Sequence, residues 1–84
     1  MPNPDEVYGN IRGASYCLSE TLGLLGSPGE YTKEATIGTW SDRPFEKKLD
    51  IRRWRGNEYK SGISLTEKEV RDLRRILDKI DFGK

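Results

Sequence analysis

The sequence contains no histidine and only one cysteine, Cys17. Without histidine, the commonest general base at neutral pH and the commonest metal ligand are both missing. A lone cysteine excludes an internal disulfide and any multi-cysteine zinc site. Long apolar runs are also absent. The longest apolar-leaning stretch, Leu22-Gly23-Leu24-Leu25, falls far short of the ~20 residues a bilayer requires. The opening MPNPDEV has neither a basic start nor an apolar run, so it does not read as a signal peptide. These absences point away from an enzyme, a cofactor, a metal site and a membrane. A free thiol without an export signal is expected in a reducing interior, the cytoplasm or nucleoid.

What is present is a short, polar chain. Its 84 residues are 35% charged and 33% hydrophobic, enough for one domain with a thin core. A domain of this size buries only about 60% of its unfolded surface, which makes oligomerisation a fair expectation. The net charge of +1 hides a gradient. Residues 1–42 carry two basic groups, Arg12 and Lys33, against six acidic ones. Residues 43–60 carry seven basic groups (Arg43, Lys47, Lys48, Arg52, Arg53, Arg55, Lys60) against three acidic ones, Glu46, Asp50 and Glu58. Positive charge concentrated in one segment is an electrostatic footprint for an anion, although a solvated charged strand would give the same count.

Residues 1–8, with Pro2 and Pro4, are expected to form a flexible tail, and 9–84 a single domain. The strongest local pattern is a C-terminal helix. Thr66 and Glu69 have capping-box spacing, and Leu65 and Val70 occupy the positions of a hydrophobic staple. Val70, Leu73, Ile76, Leu77 and Ile80 form one stripe of a 3.6-residue period, and Gly83 is a reasonable stop. These five side chains are expected to form the core and dimer face of the helix. Upstream, 31–41 and 47–55 read as strands, with 42–44 and 56–58 as turns and 62–65 as a short strand entering the cap. In 47–55, Leu49 and Ile51 share one face while Asp50, Arg52 and Trp54 share the other. Residues 11–20 read as a further strand aligning Ala14, Tyr16 and Leu18; a short helix over 15–25 is the rival. The expected fold is therefore α+β: a curved four-stranded antiparallel sheet followed by one amphipathic helix, paired into a dimer.

If the helix covers Leu49 and Ile51, then Arg52 and Trp54 project from the uncovered face. A tryptophan beside arginines on an open sheet face suits single-stranded nucleic acid, since bases stack on the ring and phosphates pair with guanidinium groups. A half-buried sheet aromatic is the plainer explanation of Trp54. A one-residue register change would move Trp40 between the open face and the core.

The run Asp50-Ile51-Arg52-Arg53-Trp54, then Gly62-Ile63-Ser64-Leu65 and the helix 67–80 resemble the core of the transcriptional coactivator family known as positive cofactor four. The preceding segment with Tyr31, Lys33, Glu34 and Trp40 looks like the family's shorter bacterial branch. The resemblance covers about 31–80 well and 11–30 loosely. It departs from the family pattern at Ser61, where a basic residue is typical, and in a longer segment 22–30. It implies a curved four-stranded sheet plus helix, a homodimer, and binding of single-stranded or melted DNA in transcription or genome maintenance. Arg52 matches the family's strand arginine, and Lys60 lies in the basic stretch before G-I-S-L.

The resulting expectation is a non-enzymatic, largely sequence-tolerant single-stranded DNA binder, with Lys33, Trp40, Lys47, Lys48, Arg52, Trp54, Arg55 and Lys60 as the nucleic-acid-binding set. Transcription or replication machinery is a further expected partner. The competing reading is a protein-interaction module whose basic strand only solubilises it; RNA is a variant of the first. Enzyme readings find little support. Cys17 has no histidine to activate it and reads as a small buried hydrophobe. Glu67 and Glu69 are explained by the helix dipole. Gly23, Gly26 and Gly29 lack the Lys and Ser/Thr of a phosphate loop.

Overall fold

A computed structural model describes residues 7–11 and 13–83. Five strands precede one helix: β1 (Val7–Ile11), β2 (Ala14–Leu25), β3 (Thr32–Trp40), β4 (Arg43–Arg55), β5 (Glu58–Leu65) and α1 (Glu67–Leu77). All neighbours are antiparallel and in chain order, a simple meander. The sheet curls until β1 and β5 approach each other, without a ladder between them among the described residues, giving a half-barrel with a seam. The class is α+β as expected, with five strands in place of four.

The extra strand lies where the tail was expected. Val7 and Tyr8 belong to β1, and Tyr8 is buried because its ring packs edge-on against Trp54 at 5.0 Å. The remainder of the expected tail, residues 1–6, lies outside the described residues. The region 14–25 is strand rather than helix: Ala14, Tyr16 and Leu18 point inward while the residues between them are partly exposed. A stretch that buries every second side chain is satisfied by a period of two, not 3.6. Bulges in the β2–β3 pairing, between Leu18 and Glu20 and between Thr21 and Gly23, blur that alternation further along.

β4 and β5 run longer than the sequence indicates, while β3 is one residue shorter at each end than the expected 31–41. The turn after β3 takes only Ser41 and Asp42, so Arg43 and Pro44 already belong to β4. A proline at the very start of a strand leaves most of the ladder intact. The next turn is tight at Gly56, whose φ is 60°, a left-handed conformation suited to glycine. β5 therefore starts at Glu58 and not at Gly62.

Curling decides which face is the core. Tyr8, Tyr16, Leu18 and Trp54 form the buried apolar cluster on the inner face, with Trp40 and Tyr59 packed against it. Glu34, Thr36, Asp50 and Arg52 are buried among them. Arg52 and Trp54, expected on an open face, are 5% and 0% exposed. They do share a face opposite Leu49 and Ile51, as the alternation required, but the half-barrel closes over that face. Leu49, in contrast, lines a groove between sheet and helix and remains half-buried.

The helix begins as its sequence dictates. Glu69 N donates to Thr66 Oγ1 at 3.2 Å, and Thr66 N donates to Glu69 Oε1 at 2.8 Å, closing the capping box. The Thr66 backbone and hydroxyl hold Glu69 below the usual carboxylate range. The helix ends at Leu77 with Asp78 as its cap, three residues before Ile80. No helical residue is buried. Val70 and Leu73 are half-buried, while Ile76, Leu77 and Ile80 are exposed, so within one chain the expected core stripe is not a core.

Candidate nucleic-acid interface

The expected binding set separates into three places. Arg52, Trp54 and Trp40 belong to the inner face, where a buried polar network holds them. Arg52 Nε and Nη2 donate to the two Asp50 carboxylate oxygens at 2.9 and 3.0 Å, and Nη1 donates to the Lys60 carbonyl at 2.8 Å. Ser64 Oγ donates to Asp50 Oδ1 at 2.7 Å, and Trp40 Nε1 donates to Ser64 Oγ at 2.9 Å. The guanidinium also lies 5.5 Å from the Trp40 ring centroid and 5.3 Å from that of Tyr59. All three of its nitrogens donate and two aromatic rings flank it, so the buried group is a structural pillar rather than a phosphate contact. Nearby, Tyr16 OH hydrogen-bonds Thr36 Oγ1 at 2.8 Å, and burial pushes its phenol up to about 12.

The D-I-R and G-I-S-L runs are two halves of this unit. Asp50 pairs with Ser64, Ile51 with Ile63 and Arg52 with Gly62 across β4 and β5. Strand pairing accounts for the distance between the two runs in the sequence.

Lys47 and Lys48 form the second place, at the mouth of the groove between β4 and α1, with Leu22, Ile37, Leu49, Val70, Leu73 and Leu77 as its apolar lining. Its volume is about 890 Å³.

The third place collects Lys33, Arg55 and Lys60 on the outer face, with two residues that were not in the expected set. Lys33 pairs with Arg53 across β3 and β4, and the Arg53 guanidinium lies 4.9 Å from the exposed Tyr31 ring. Arg55, two residues along the same face, lies 5.8 Å from that ring and bonds Glu30 at 3.1 Å. Lys60, on the adjacent strand, donates to Glu58 at 3.1 Å, and this contact lowers the Glu58 pKa. Exposed pairs of this kind hold their charges weakly. The outer end of β3–β4–β5 therefore presents four cations beside an accessible aromatic ring. Arg53 was discoverable from alternation, since it follows the inward Arg52. Tyr31 was not, because its neighbours depend on the turn preceding β3.

Cys17 is half-buried on β2, across from Val7, and not a core residue. Among the described residues, no group of acidic or cysteine side chains has the arrangement of a metal site, and no helix is long and apolar enough to cross a membrane. Comparison with known protein families, with curated proteins and with solved structures finds no match to this chain.

Proposed function

We propose that this protein binds single-stranded DNA, without catalysis and with little sequence preference, through the outer-face band of Tyr31, Lys33, Arg53, Arg55 and Lys60. The observation that carries this reading is the pair of guanidinium groups beside one exposed tyrosine ring, with Lys33 directly across from Arg53. An accessible ring stacks a base of any identity, and the surrounding cations take the phosphates on either side. The resemblance to the positive cofactor four family supports the same ligand, along with a role in transcription or genome maintenance and a cytoplasmic, nucleoid-associated location. The surface assigned to the task differs from the one the sequence indicated, because Arg52 and Trp54 are engaged inside.

The same reading includes a homodimer. The apolar stripe of α1 and the groove beside it leave Ile76, Leu77 and Ile80 largely in solvent, as is Ile63 on β5. A second copy laid on this face would cover them and place two basic bands on one particle.

The deciding experiment is a titration of labelled oligothymidylate with wild type and with a Tyr31→Ala/Arg53→Ala/Arg55→Ala variant. Strong loss of affinity in a folded variant is expected, and equal affinity would remove the band from the site. Absence of binding by wild type at low salt would favour the interaction module, with its groove as the working surface. Duplex DNA and RNA in parallel would define the class of nucleic acid.

A further inference from the structure

The most heavily aromatic part of the molecule is also the part most completely closed. Trp54 is fully buried, with Tyr59 at 6.0 Å between ring centroids and Tyr8 at 5.0 Å, the Tyr8 ring at 79° to the indole. Trp54 Nε1 and Tyr59 OH are buried yet have no hydrogen-bond partner among the described residues. A buried polar atom left unsatisfied is costly, so among the described residues the cluster holds two groups able to bond a polar planar ring and nothing that does so.

Tyr8 covers this cluster from β1, the most lightly held strand. β1 has five residues and, among the described residues, pairs only with β2, and its register is broken between Tyr8 and Ile11. Its other side faces β5 across the seam, with no ladder joining them among the described residues. Peeling β1 away would leave β2 to β5 paired.

We propose that β1 is a removable strap, and that Tyr8 occupies, edge-on, a place against Trp54 that a base of single-stranded nucleic acid takes when the strap opens. The inference rests on the nucleic-acid reading of the outer band and adds a second, closed subsite to it. An incoming base would take the edge-on place of the Tyr8 ring against the indole and bring ring-edge acceptors into a cluster where Trp54 Nε1 and Tyr59 OH lack a partner among the described residues. The outer band would hold the strand in both states; the strap would set how tightly.

The pairing of Val7 with Cys17 makes the strap lockable. Cys17 is the only cysteine, so a Val7→Cys variant has one possible disulfide within a chain, between directly opposed strand residues. Labelled oligothymidylate would be titrated against this variant oxidised and reduced, with its monomeric mass checked, and against Tyr8→Ala. The oxidised form should bind several-fold more weakly than the same chain reduced, and Tyr8→Ala several-fold more tightly than wild type. In a Trp40→Phe background, where Trp54 is the remaining tryptophan, its emission should be quenched by the oligonucleotide only when the strap is free. Equal affinities in the oxidised and reduced states, or weaker binding by a folded Tyr8→Ala, would overturn the proposal. Acrylamide quenching of Trp54 without DNA separates the two ideas. If no variant binds DNA, the outer-band function fails. In that case a difference in quenching between the oxidised and reduced states still supports the strap, and equal quenching overturns it.

Discussion

Gly62 lies directly across from Arg52, and a Cβ at Gly62 would stand 2.6 Å from the Arg52 Cβ. The same atom would meet the Ile51 carbonyl oxygen at 2.6 Å. The glycine of G-I-S-L is therefore required by close approach of two strands, with the buried guanidinium network beside it. Gly38 has a similar constraint on the central strand β3, where an added Cβ would meet the Cys17 carbonyl at 2.5 Å and the Tyr16 ring at 2.6 Å.

Gly62→Ala should lower stability by roughly 1–3 kcal/mol, the usual cost of forcing an extra carbon into close-packed surroundings. The obstacle is backbone and a Cβ, which cannot swing aside. Urea denaturation followed by circular dichroism would measure the loss, and an unchanged midpoint would contradict the close approach.

Asp50→Ala should cost about 3–5 kcal/mol, because it leaves a buried guanidinium without its bidentate partner. Arg52→Met should also destabilise by stranding the carboxylate. The double variant should lose less than the sum of the two, since neither charge is then left alone. A double-mutant cycle by chemical denaturation measures the coupling, and additive losses would argue against the pair.

Stability should fall at alkaline pH on account of Tyr16. Its phenol ionises near 10 when unfolded and only at about 12 in the fold, owing chiefly to burial. Folding therefore favours the protonated form. The contribution is fully present below pH 10 and is lost as pH rises toward 12, a change on the order of 2–3 kcal/mol. Tyr16→Phe should flatten that part of the stability profile, which thermal melts across pH 9–12 would show.

Binding of single-stranded DNA should weaken linearly with the logarithm of salt, by about 0.7 log units per neutralised phosphate and per decade of salt. Lys33→Ala or Arg53→Ala should each reduce the slope by about that amount with the fold retained. Anisotropy titrations at several salt concentrations would check it. Arg52→Ala is unsuited to this test, because its effect on folding would obscure any effect on binding.

Multi-angle light scattering over a wide concentration range would test the homodimer. A dimer that Leu77→Lys reduces to monomer would support the helix face as its interface; a monomer at every concentration would end the idea.

Much of this fold is written locally. The capping box at Thr66 and Glu69 formed as the spacing required, since it needs only residues three apart. The alternation of Leu49 and Ile51 against Asp50, Arg52 and Trp54 held for the same reason, a strand's period of two. Ala14, Tyr16 and Leu18 likewise share one face. Such patterns separate faces without saying which one a curled sheet will close. Enclosure of Trp54 depends on Tyr8 of β1 meeting a side chain 46 positions further along, and that of Arg52 on Trp40 and Tyr59 closing over its guanidinium. No local spacing contains that meeting. The missing histidine and the basic segment 43–60 were legible from the sequence alone, because composition and charge order are properties of the chain itself. Which of those charges reach solvent was decided by curvature: it turned Arg52 into a pillar and left Arg53, its neighbour, beside Tyr31 on the surface.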